Sequence, residues 1–201
     1  MKELKIIPLK CPHCGRNLEG EDVNVVFFCP DCYLALEVVG EVLKKRNLET
    51  VKAVSEGEIV YLPLWCFEVN LKLKWEKKVK EEVLRALERL EKVYVRGFTL
   101  RRTMFYADIG LEYTERGFKY TPEGKAIPTT CTVSLIEAKR MAEAIVLRVI
   151  DRRVDITGLE LELEYLSEKL LAVPFVRKGH RLEDLFARIQ IPLATLGSVR
   201  I

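Results

Sequence analysis

The longest regular pattern in the chain is the alternation in "LWCFEVNLKLKW". It puts Trp65, Phe67, Val69, Leu71, Leu73 and Trp75 on one face and Cys66, Glu68, Asn70, Lys72 and Lys74 on the other. A period of two with one apolar side predicts a long, half-buried antiparallel strand. The next segment, "EKKVKEEVLRALERLEK", spaces Val79, Val83, Leu87 and Leu90 for one helical face and fills the others with charge, so a surface helix on a sheet is expected. "VYVRGFTLRRTMFYADIGLEY" returns to strand character, with Gly97 and Gly110 read as bulges or turns. Ser134 to Glu137 has capping-box spacing ahead of "LIEAKRMAEAIVLRVID", the most apolar helical pattern. In "LELELEYLSEKLLAVPFV", Leu159, Leu161, Leu163 and Tyr165 face inward and Glu160, Glu162 and Glu164 outward; Ser-Glu-Lys predicts a turn, hence a hairpin.

Strands interleaved with two convincing helices predict an α+β domain with an antiparallel sheet over residues 59–201. Residues 41–58 mix charge with sparse valines and read as a connector holding a short strand or helix. "IVYLPLW" and "LLAVPFV" echo each other, which fits either an internal duplication or two proline-containing edge strands.

Residues 1–40 have a different texture. Cys11 and Cys14 bracket Pro12-His13, and Cys29 and Cys32 bracket Pro30-Asp31. A two-residue gap folds the backbone into a tight knuckle that aims both sulfurs at one centre. Proline after the leading cysteine presets φ for that turn, and Gly15 supplies a positive φ that turns amides toward the thiolates. Between the pairs lie a turn at Glu19-Gly20-Glu21-Asp22, a β-rich return from Val23 to Phe28, and then "YLALEVVG" as a third strand. Four thiolates with no vacant position make a closed structural site, for which zinc is the first reading. Iron in a rubredoxin-like site and a redox dithiol stand as alternatives.

The CPxCG and CPxC units joined by a short hairpin resemble the zinc-ribbon superfamily over about residues 9–40. Tyr33 departs from its usual second glycine, and the loop between the knuckles is slightly short. The resemblance implies one structural zinc on Cys11, Cys14, Cys29 and Cys32. Beyond residue 40 the chain is similar to uncharacterised prokaryotic proteins in which a ribbon precedes an LPxW-like segment, a resemblance that implies no activity.

Composition narrows the rest. The 201 residues allow one ordinary core plus a small appendage. Charged residues make up 31% of the chain and Gln190 is the one glutamine, a usage associated with thermophiles. The longest apolar run, "IVYLPLWCF", is too short for a membrane helix, and no secretory signal is visible at the start, so a cytoplasmic protein is expected. The formal charge of +3 is unevenly spread: residues 72–102 carry eleven basic and five acidic side chains, while residues 1–40 carry four and six.

Reactive groups are sparse. Cys66 and Cys131 read as buried structural thiols, His180 lies in the basic loop "RKGHR", and Asp108 stands among apolar neighbours without a nucleophile motif. "RKGHR" and "TPEGK" both lack phosphate-loop spacing. The function expected is therefore a non-catalytic adaptor or assembly subunit that contacts a protein partner. The alternative is a nucleic-acid binder using Lys72, Lys74, Lys77, Lys78, Arg85, Arg101 and Arg102, and an unrecognised enzyme is the second alternative.

Overall fold

A computed structural model of the chain describes residues 8–55, 57–76, 79–100 and 108–196. The fold is α+β, as the alternation of patterns predicts. Two strands dominate it: β5 (Ile59–Trp75) and β7 (Leu159–Lys178) pair antiparallel along their whole shared length, from Ile59 opposite Val176 to Trp75 opposite Leu159. β6 (Lys92–Arg96) lines the other side of β5, while β8 (Arg181–Asp184) and β9 (Gln190–Pro192) extend the sheet beyond β7.

The expected hairpin in residues 159–176 is instead this single strand. Ser167, Glu168 and Lys169 stay in register with Glu68, Phe67 and Cys66. The pairing then slips by one, from Glu68 opposite Ser167 to Val69 opposite Tyr165, so Leu166 is the extra residue of a bulge and stands exposed. The slip keeps Val69, Leu71, Leu73 and Trp75 on the core side opposite Tyr165, Leu163, Leu161 and Leu159. A polar triplet resembles a turn in sequence; here the partner strand decides otherwise.

The two prolines belong to central strands rather than edges. Within a strand, a residue's N and C=O point to the same side. Pro63 accepts from the Gly97 amide on the β6 side, just past the last β5–β6 pair at Leu64 and Arg96. Ala172 accepts from the Val51 amide on the other flank of the ribbon, so Pro174, two residues on, faces that same flank. There β4 (Leu48–Thr50), which runs parallel to residues 170–172, has ended, and β8 begins only opposite Phe175. Each proline thus sits where no neighbouring strand needs its missing N–H.

Among the described residues, three α-helices cover the sheet. α1 (Glu81–Glu88) is shorter than its pattern suggests and buries Leu87. α3 (Leu135–Asp151) starts at the expected capping box, with Ser134 and Glu137 exchanging hydrogen bonds, and contributes Ala138, Ala142, Ile145, Val146 and Val149 to one core with Trp65, Phe67, Val93 and Val95. α2 (Ile109–Arg116) replaces the strand expected around Gly110. Asp108 accepts from the amides of Gly110 and Leu111, and Gly117 ends the helix in the left-handed region. This helix seals the free edge of β6: Thr114 Oγ1 accepts from the Tyr94 amide at 2.9 Å, and Gly110 lies against the Tyr94 carbonyl.

Residues 41–58, expected as a connector, supply strands to both sheets. β3 (Val42–Arg46) joins β1 (Val26–Cys29) and β2 (Leu34–Val39) in a three-stranded antiparallel sheet of order β1-β2-β3, and β4 then enters the large sheet. Alternation splits the small sheet into two faces. Phe27, Cys29 and Leu36 pack with Cys11 and Leu18, whereas Val26, Phe28 and Ala35 join the core built on α3 and β5.

Candidate metal centre

Each knuckle closes on itself by the same bond. The Gly15 amide donates to the Cys11 carbonyl at 2.9 Å, and the Tyr33 amide to the Cys29 carbonyl at 2.8 Å. The two residues have φ of +75° and +53°. Tyr33 therefore adopts the backbone that glycine usually supplies, and the second knuckle keeps its shape despite the departure in sequence. Lys125 Nζ lies 5.4 Å from the Tyr33 ring centroid, a cation–π contact that helps hold the residue.

These turns bring the Sγ atoms of Cys11, Cys14, Cys29 and Cys32 within 4.8 Å of one another. Cys11 lies 3.9 Å from Cys32 and Cys14 lies 3.5 Å from Cys29. A tetrahedron of sulfurs at zinc-like bond lengths has edges of about 3.8 Å. Burial works against ionising Cys11, yet the backbone amides of Cys14 and His13 together with hydrogen bonds from the Cys29 and Cys14 side chains outweigh it and bring the thiol down to about 7. At Cys29 burial wins and the thiol is pushed up, although the Cys32 and Asp31 amides act in the opposite sense. Cys32 is also pushed up, by burial first and then by the neighbouring sulfurs. Four thiolates this close repel one another, and a bound cation is what allows all of them to ionise together. The cysteines are positioned to bind a metal ion, and all four offer a ligand, so a four-coordinate ion would have no open position.

The site is anchored from outside. Arg16 and Asp31 join the two knuckles across their tips at 2.5 Å. On the opposite face of the small sheet Glu37 is 2% exposed; its Oε1 accepts from the Leu135 amide at 2.7 Å, in the first turn of α3, and its Oε2 accepts from Arg46 at 2.6 Å. The carboxylate thus satisfies a free amide at the positive end of the helix. Residues 131–133 lie between the two sheets: the Cys131 carbonyl accepts from the Val25 and Val26 amides, and the Val133 carbonyl from Trp65 Nε1 at 2.9 Å.

The other reactive side chains lie apart from the cysteine cluster. Cys66 is buried on the face of β5 away from α3, its thiol pushed up to about 11 by burial, with Lys169 and Lys92 opposing. Cys131 is buried beside the small sheet and its thiol is pushed strongly up by burial. Asp108 caps α2 and pairs with Arg96 at 2.8 Å. His180 lies in the exposed turn between β7 and β8 and its carbonyl accepts from the Leu193 amide.

Of the seven cations proposed for nucleic acid, Lys72, Lys74 and Arg85 pair with Glu162, Glu160 and Glu81 at 3.3, 2.9 and 3.0 Å. Lys77, Lys78, Arg101 and Arg102 lie outside the described residues. The carboxylates of β7 opposite β5 were visible in the sequence, but their pairing with Lys72 and Lys74 depends on the register around the bulge. Among the described residues no helix is long and apolar enough to cross a membrane. Comparison of the chain with protein-family models, curated proteins and solved structures finds no match in any of the three.

Proposed function

We propose that the chain is a non-catalytic adaptor whose N-terminal module is a zinc ribbon, with one structural zinc holding a rigid binding surface for a protein partner. The observation that carries this reading is the two-faced small sheet. One face is clasped by the cysteines and the other fixed to the body through Glu37, while the outer edge of β3 is left unpaired among the described residues and Val42 there is 53% exposed. An immobilised, open strand edge offers backbone donors and acceptors to an incoming strand at little entropic cost. A four-sulfur donor set with near-tetrahedral spacing supports zinc, and metal analysis giving one zinc per chain rather than iron checks the identity.

The Val38 amide points to β1, so Glu37 and its partner Lys44 bond to each other and the amide of Lys45 faces outward. Lys45→Pro removes that outward donor without touching the β2–β3 ladder. Crosslinked purification from the native cell with wild type, Lys45→Pro and Cys29→Ser is expected to recover one protein partner with wild type only. Equal recovery with all three, or nucleic acid in place of protein, overturns the reading.

A further inference from the structure

A cavity of about 770 Å³ opens where the start of β6, the end of α2 and the irregular segment 117–122 that follows it meet β4 and β7. That volume lies within the range of small-ligand sites. Glu49, Lys92, Tyr94, Tyr120 and Lys169 are among its walls, and Arg89, Arg116, Lys119 and Arg153 stand around it. No cysteine of the metal cluster contributes to it.

The charges do not cancel. Glu49 accepts from Lys169 at 3.0 Å and from the Tyr120 hydroxyl at 2.9 Å, Glu115 pairs with Arg152, and Arg116 with Glu112. Arg89, Lys92, Lys119 and Arg153 form no ion pair with a described residue, against the single carboxylate of Glu91 among the lining acids in the same condition. Four unneutralised cations around one concavity select a polyanion, and guanidinium groups match phosphate oxygens two at a time. Tyr120 adds a flat wall: its ring stacks on Phe118 at 5.6 Å and 25°, with Lys92 Nζ 6.0 Å from its centroid. An aromatic face beside cations suits a planar heterocycle joined to phosphate.

The geometry points to this cavity as a binding site for a nucleoside phosphate, its phosphates held by Lys92, Lys119, Arg89 and Arg153 and its base against Tyr120. The site is independent of the adaptor reading, which concerns the edge of β3. Its cations overlap the basic segment 72–102 only through Arg89 and Lys92, neither of which is among the seven cations named for nucleic acid, while Lys119, Tyr120, Arg153 and Lys169 lie outside it.

Calorimetric titration of the metal-loaded chain with adenosine diphosphate, pyrophosphate, adenosine and a short single-stranded RNA tests it. Adenosine diphosphate is expected to bind saturably and more tightly than pyrophosphate, with adenosine weakest. Lys119→Glu combined with Arg153→Glu should weaken it at least about tenfold, as loss of two phosphate contacts implies, while Lys44→Glu with Lys45→Glu on the small sheet leaves it unchanged. Tyr120→Leu should reduce the preference for adenosine diphosphate over pyrophosphate. RNA binding tighter than the free nucleotide and lost in the same double variant would place the nucleotide within a strand and still support the site. Absence of binding by all four probes, or binding indifferent to the double variant, overturns it; thermal melts of each variant and the single change Lys119→Glu separate loss of binding from loss of fold.

Discussion

Glu37 joins two parts of the chain that are far apart in sequence, since the amide it accepts from lies 98 positions away. Truncating a buried carboxylate that satisfies both a helix-end amide and Arg46 leaves both donors short of a partner. Glu37→Ala is therefore expected to lower stability by about 2 kcal/mol in denaturant melts, with Glu37→Gln costing less because it can still accept from Leu135. The neighbouring capping box behaves differently with pH. The Ser134 backbone and hydroxyl hold the Glu137 carboxyl below its ordinary range. Its contribution is present above the ordinary glutamate value and fades as pH falls through the depressed one. Ser134→Ala should cost about 1 kcal/mol at neutral pH and less in acid, read from melts at both pH values. Both this box and the cysteine knuckles are legible in sequence because each is complete within four residues. Glu37 gives no such signal: a lone glutamate in a strand reads as solvent-facing until the helix that it caps is in place.

At the scale of elements, α2 shows how local signals compete. Asp108 before and Gly117 after an eight-residue segment are an N-cap and a C-terminal glycine, yet the β-branched and aromatic residues that precede them read as strand. Gly110 is required here for closeness rather than for a turn: an added Cβ would sit 2.5 Å from the Tyr94 carbonyl and 3.1 Å from Ile145. Gly110→Ala would favour the helix by propensity but must push α2 off the β6 edge, and the second effect is larger because the atom struck is backbone. A net loss of about 1–3 kcal/mol is expected, together with faster hydrogen exchange at the Tyr94 amide as Thr114 withdraws. The β5–β7 ribbon makes the complementary case. Its alternating faces were readable residue by residue, but its continuity through Ser167–Lys169 and its bulge at Leu166 are set by the opposing strand, which no local pattern in β7 encodes.

For the whole molecule, a metal ion held by the four cysteines would stabilise either the small module alone or the entire chain. Sequence separates a cysteine hairpin from a body, because ligand spacing and strand alternation are different patterns in different stretches. The structure joins them: Val26, Phe28 and Ala35 share one core with Trp65, Cys131, Val133 and Leu135, and residues 131–133 bond to the small sheet on one side and to Trp65 on the other. Losing the metal would release Cys11, Cys29, Phe27 and Leu36 on one face and, with them, the sheet that covers part of the central core. Chelation at neutral pH, or Cys29→Ser, is therefore expected to lower the melting temperature of the whole chain by about 10 °C or more, equivalent to about 4 kcal/mol for a chain of this size. Calorimetry should show one displaced transition. In a Trp75→Phe background the fluorescence of Trp65 should report that same transition, although Trp65 belongs to the central core and the cysteine ligands to a separate cluster. A two-step melt, with an early loss confined to residues 10–46 and an unmoved Trp65 signal, would show instead that the cysteine module unfolds alone and that its contact with α3 contributes little.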